Sequence, residues 1–173
     1  MKGSKTFDNY PIWIVLVTNL FNVVFYGIGF YIIKQTYLVF ALLFLGYCLF
    51  LEISVMRKSC VNCYYYGKVC GTGKGKVAKL LFRKGNERKF AEGEASFVGM
   101  VPEMLAFFIP IGFGAVMLFQ KFNLVILILM GILFLMTSAG NAYIRGSLLC
   151  KYCKQRELGC PAEKLLNKNG KGE

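Results

Sequence analysis

Residues 37–63 read YLVFALLFLGYCLFLEISVMRKSCVNC. From Tyr37 to Met56 the stretch is almost wholly apolar, and Glu52 is its one charged side chain. About 20 such residues suffice to cross roughly 30 Å of hydrocarbon as a helix. The run then changes abruptly into a basic, Cys-bearing segment. A backbone in hydrocarbon must satisfy its own hydrogen bonds, so a helix is the expected form. A barrel strand would alternate in polarity, and this stretch does not.

Three more runs of this kind extend from about Ile12 to Ile33, from Phe97 to Phe119 and from Phe122 to Ile144. Composition agrees. Hydrophobic residues make up 56% of the 173-residue chain and charged residues 17%, where an average soluble domain is about a quarter charged. Mean hydropathy is +0.52. An ordinary soluble enzyme, a disordered tail and a disulfide mini-protein are excluded. The first run is longer than a signal-peptide core. It is followed by Lys34-Gln35-Thr36 rather than a small-residue cleavage site, so it reads as a retained span.

Charge orients the bundle. Net charge is +12, from 21 Lys and Arg against 9 Asp and Glu. The two short hairpin turns carry one cation each, Lys34 and Lys121, and every other Lys or Arg lies in the amino-terminal segment, the middle loop or the tail. The positive-inside rule places those three regions in the cytoplasm, with both termini there. In a membrane chain this charge points to topology and anionic lipid headgroups, not to nucleic acid. Tyr10, Trp13, Tyr37 and Tyr143 fall where interfacial rings are expected.

The middle loop carries Cys60, Cys63 and Cys70, and the tail carries Cys150, Cys153 and Cys160. Both triplets read C-x2-C-x6-C, follow a hairpin and an Arg (Arg57 or Arg145), and precede an amphipathic segment ending in Leu-Leu. The expected fold is therefore an all-α integral membrane protein. Its four transmembrane helices form two parallel-repeat hairpins, each followed by a cytosolic Cys triplet and a short amphipathic helix. The chain divides into a first hairpin with its amino-terminal segment (1–56), a Cys- and Lys-rich loop (57–96), a second hairpin (97–144) and a Cys-rich tail (145–173).

The chain has no His, which removes the commonest general base and metal ligand. Disulfides need an oxidising compartment, which the orientation argues against. Metal binding suits paired C-x2-C thiolates best. Six thiolates fit a cluster of two zinc ions. The alternative is an iron–sulfur cluster held by four of them, with Cys160-Pro161 like the Cys-Pro ending of ferredoxin motifs. The seventh, Cys48, reads as a small buried hydrophobe.

Over about eleven residues in each half, this spacing resembles the zinc-cluster domain of fungal transcription factors. There the halves are joined by a short linker; here a transmembrane hairpin separates them. The resemblance implies that Cys60 and Cys150 bridge two zinc ions and that Cys63, Cys70, Cys153 and Cys160 are terminal ligands. It implies no DNA binding.

Glu52 and Glu103 lie about one turn inside the spans, where an ionisable residue is a functional candidate. Pairing with Arg57, Arg145 or a Lys is the plainer expectation. They are the only catalytic candidates. Lys74, Lys76, Lys79, Arg83 and Lys84 form a basic, partly apolar run suited to an anion or to an anionic leaflet. For Gly71–Lys76 a flexible turn is the simpler reading. Asn19, Asn22 and Asn141 are placed to hydrogen-bond between helices. The expected function is a polytopic membrane protein whose metal site serves a structural or interaction role toward a protein partner or lipid. The alternatives are a redox component and a small enzyme acting on a phosphate-bearing lipid.

Overall fold

The computed structural model describes residues 6–86, 90 and 97–160, with the backbone alone at 97–100. The regular elements among them are all helical: α1 (Ile12–Lys34), α2 (Leu38–Lys58), α3 (Lys74–Leu81), α4 (Phe97–Gln120) and α5 (Leu124–Leu135). Pro11 precedes α1 in extended backbone, and the Asn123 side chain caps α5 by accepting from Val125 N–H at 2.9 Å. The amphipathic segment expected after Cys160 lies outside the described residues.

Four helical stretches are long and apolar enough to cross a membrane: Ile12–Lys34, Leu38–Asn62, Val101–Gln120 and Leu124–Tyr152. Length and composition are those of a multi-pass membrane protein. Large apolar side chains such as Leu20, Leu43, Phe50, Val116 and Phe134 face outward. Lipid tails solvate such a surface, whereas water would not. Trp13, Tyr37 and Tyr143 are also outward.

Helices α1 and α4 each pack against all three other long helices. Where α1, α2 and α4 meet, Ile33, Ala41, Phe44 and Cys48 are buried among Tyr26, Phe30, Ile109 and Phe113. Cys48 is thus the small core residue expected. Gly29 permits this approach. A Cβ there would lie 2.8 Å from the Phe44 ring and 3.5 Å from Pro110 Cγ.

The fourth span runs past its expected end at Ile144. Helical backbone continues through π turns at Met136–Gly140 and Ile144–Leu149, on either side of the α turn Asn141–Tyr143. The cause is local. Thr137 Oγ1 donates to Leu133 O at 2.9 Å and Ser138 Oγ to Phe134 O at 2.7 Å. Such bonds compete with the main-chain ladder and favour a wider turn.

Gly29→Leu should therefore destabilise the bundle by about 1–3 kcal/mol through overpacking. Gly27→Leu should not, because nothing lies within 4 Å of a Cβ at Gly27. Thermal unfolding in detergent, followed by circular dichroism, compares the two.

Candidate functional site

Both triplets begin in the same backbone shape. Ser59 (φ −106°, ψ −51°) and Leu149 (φ −97°, ψ −65°) lead into single 3-10 turns at Cys60–Asn62 and Cys150–Tyr152. Cys63 N–H donates to Cys60 O, and Cys153 N–H to Cys150 O, at 3.3 Å in each case. Cys63 and Cys153 are extended. Tyr66 N–H then donates to Cys63 O at 3.0 Å and Arg156 N–H to Cys153 O at 3.1 Å.

Backbone donors also point at sulfur. Tyr65 supplies one to Cys63, Gln155 and Arg156 supply two to Cys153, and Gly75 N–H lies 3.3 Å from Cys70 Sγ. Donors of this kind favour the thiolate. Gly75 is needed where α3 starts, since a Cβ there would lie 2.2 Å from Tyr65 O. Cys63 is close enough to feel the charge of Cys60, Cys70 and Cys153, and Cys153 that of Cys150 and Cys160. The structure thus brings the two triplets together. Among the described residues, no group of three or more Cys, Asp or Glu is drawn in tightly enough to hold a metal ion. Burial pushes the Cys63 thiol up to about 12, against an ordinary value near 9, and raises Cys153 as well.

A strap that the sequence reading passed over holds the triplets in place. Phe7 N–H donates to Tyr152 O at 3.0 Å, in a parallel bridge between Phe7 and Cys153. Tyr10 N–H donates to Val69 O at 2.9 Å, and Tyr10 Oη donates to Leu149 O at 2.6 Å. Tyr65 Oη donates to Phe7 O at 2.6 Å and accepts from Lys154 N–H at 3.0 Å. Asp8 Oδ1 takes Lys154 Nζ and Tyr64 Oη, each at 2.7 Å. The hydrogen bond from Lys154 holds the Asp8 carboxyl below its usual range. Gln155, buried, accepts Tyr64 N–H at 2.7 Å. Tyr10, Ile14 and Tyr65 form a buried hydrophobic core against which Cys63, Cys70 and Cys153 pack. Tyr10 is therefore a buried core residue and not an interfacial ring.

A cavity of about 450 Å³ lies between the four long helices and the start of both triplets. Glu52, Glu103, Cys60 and Cys150 all line it. Glu52 accepts Tyr26 Oη at 2.8 Å and is ion-paired with Lys74. Glu103 pairs with Arg145 at 3.9 Å. The plainer expectation for both carboxylates, a cationic partner, is what the structure shows. Asn22 and Asn141 line the same cavity instead of bonding each other's helices, and Asn19 Nδ2 reaches Thr72 O at 3.1 Å.

The basic run divides. Lys74 turns inward to Glu52, whereas Lys76, Lys79, Arg83 and Lys84 are exposed. Val77, Leu80 and Leu81 are exposed beside them, at helical spacing on α3. No protein-family model, curated protein or solved structure matches the chain.

The raised thiol predicts an alkaline weakness in metal-free protein. A folded value near 12, against about 9 when unfolded, gives stability that is full below about pH 9 and lost as pH climbs toward 12. Denaturant midpoints of chelator-treated protein should fall steadily over that window. A flat profile would mean that Cys63 is not buried as described.

Proposed function

We propose that the six cysteines form one structural metal centre, with two zinc ions, that clamps the loop to the tail beneath a four-span membrane protein. The paired C-x2-C turns carry this reading: same backbone shape, backbone donors on their second sulfurs, and mutual electrostatic reach. Zinc displaces thiol protons, and its bound thiolates keep their N–H donors. Six thiolates around two Zn²⁺ leave net negative charge. Lys68 Nζ lies 3.8 Å from the ring centre of Tyr64, the residue after Cys63, and supplies positive charge near that triplet. Structural zinc contributes about 10–16 kcal/mol of apparent binding energy at neutral pH, enough to fix two short arms in one arrangement. Cys60 and Cys150 are the bridging ligands in this scheme.

The internal repeat belongs to the same proposal. Each unit is a hairpin followed by a Cys triplet, and the concentration of Lys and Arg on one side puts both triplets and both termini in the cytoplasm. There α3 lies on the membrane, with Val77, Leu80 and Leu81 toward the acyl boundary and Lys76 and Arg83 toward anionic headgroups. The role is structural, a clamped cytosolic platform on a lipid-facing bundle.

Metal analysis of anaerobically purified protein tests the centre. Two zinc ions per protomer are expected. Cys60→Ser or Cys150→Ser should cost metal in both halves, and Cys48→Ser none. If Cys60→Ser leaves the tail site fully loaded, the sites are separate. A brown, iron-containing protein would select the redox alternative.

Orientation has its own test. An impermeant maleimide applied to intact cells should leave all six cysteines unlabelled while labelling them in opened membranes after chelation. Labelling of the exposed Cys150 from outside would reverse the topology.

A further inference from the structure

Two ion pairs line the cavity, and each leaves donors to spare. Lys74 and Glu52 are about four-fifths buried, and the ammonium meets no acceptor besides Glu52 among the described residues. An ammonium has three donors. Arg145 lies 3.9 Å from Glu103, beyond hydrogen-bond length. Its guanidinium therefore brings a planar fork of N–H groups to the cavity with no hydrogen-bond acceptor among the described residues. Asn22 and Asn141 line the same space, and their amides make no side-chain hydrogen bond among the described residues. Donors outnumber the acceptors they meet. Phe21, Phe25 and Phe107 from α1 and α4 give the wall an apolar part, and Thr18, Thr72 and Thr137 also line it. π turns build the face that presents Arg145, and such turns recur at binding sites.

We propose that this cavity binds a phosphate-bearing amphiphile. Its phosphate oxygens accept from the Arg145 fork and from Lys74. Its hydrocarbon lies against Phe21, Phe25 and Phe107. The volume of about 450 Å³ is in the range of small-molecule sites and takes a headgroup with the first part of a chain, the rest extending into the bilayer. Glu52 and Glu103 hold the two cations in place when the site is empty, so the phosphate enters a positioned pair of donors. The phosphate contacts proposed here require no metal in the Cys centre, although Cys60 and Cys150 line the same cavity.

The test is native mass spectrometry of the intact protein in dodecyl maltoside, titrated with phosphatidic acid, with farnesyl phosphate and with diacylglycerol. Either phosphate probe should give a saturable one-to-one adduct, and the tighter of the two separates a glycerolipid source from an isoprenoid one. Diacylglycerol should bind at least tenfold more weakly. Arg145→Gln should weaken the phosphate adduct about tenfold or more, the loss expected for one charge-assisted bond. Arg145 is an exposed side chain, so this change leaves the fold intact, as circular dichroism would verify. Phe107→Trp, which fills the apolar wall, should weaken both phosphate probes without changing surface charge. Equal binding of diacylglycerol and phosphatidic acid would overturn the proposal. So would equal binding of phosphatidic acid by wild type and Arg145→Gln, or the absence of a saturable adduct with either phosphate probe.

Discussion

Three distant stretches of chain meet at one hydroxyl. Tyr65 Oη donates to Phe7 O and accepts from Lys154 N–H, so loop, amino-terminal strap and tail share one group. Each bond serves a backbone group that would otherwise lose water without replacement, at a cost of about 1–3 kcal/mol if left unmade. The ring beneath that hydroxyl is buried against Tyr10 at 5.6 Å between centres, and against Tyr64 at 5.2 Å. Tyr10 in turn ties the start of α1 to Leu149 at the end of the fourth span. The Cys-bearing arms are thus held by an aromatic knot continuous with the helix bundle. A metal centre at this position joins arms that already have a core of their own.

That core sets the chemistry of the thiols. Burial opposes the ionisation of Cys63 and Cys153, while backbone N–H groups aimed at their sulfurs favour it. Burial prevails at Cys63, whose thiol stays protonated at neutral pH without a metal. Backbone donors placed on a neutral thiol gain little. They gain more once the sulfur is charged, because hydrogen bonds to charged groups are worth about 1.5–3 kcal/mol against roughly 1 for neutral ones. Once a metal has displaced the protons, these donors offset part of the cost of burying charged sulfur, which is the physical ground for the proposed centre.

Most of the bundle was legible because hydrocarbon imposes length and composition directly, so four spans follow from four apolar runs. Cys48 read correctly because it sits among apolar neighbours at helical spacing. Glu52 and Glu103 read correctly as paired, since a carboxylate in a span demands a cation. The identity of the partner was less accessible. Lys74 is 22 positions beyond Glu52 and meets it only because α3 folds back under α2. The strap had no signature at all. Its bonds to Val69 and Tyr152 use main-chain groups, which every sequence supplies, and FDNY at residues 7–10 looks like an ordinary interfacial lead-in. Tyr10 was misplaced for that reason. The π turns were half visible, in the Thr137-Ser138 pair within an apolar run, but only the back-bonds to Leu133 and Phe134 show what those hydroxyls do.

The cavity and the Cys arms share a floor, and that joins the two proposals physically. Cys60, Thr72, Leu149 and Cys150 line the cavity, and each belongs to a triplet or borders one. Leu149 also receives Tyr10 Oη, and its side chain packs tightly on Gly71, where a Cβ would lie 2.2 Å away. Lys74, the cation paired with Glu52, opens the helix whose Gly75 N–H points at Cys70. A change in the position of either triplet therefore moves a wall residue of the cavity, and a shift of the Lys74 backbone would carry the Gly75–Cys70 contact with it. Close packing transmits such displacements because it leaves no slack to absorb them. Metal in the arms and ligand between the helices would then act on the same few residues, each favouring the arrangement in which those residues are already placed.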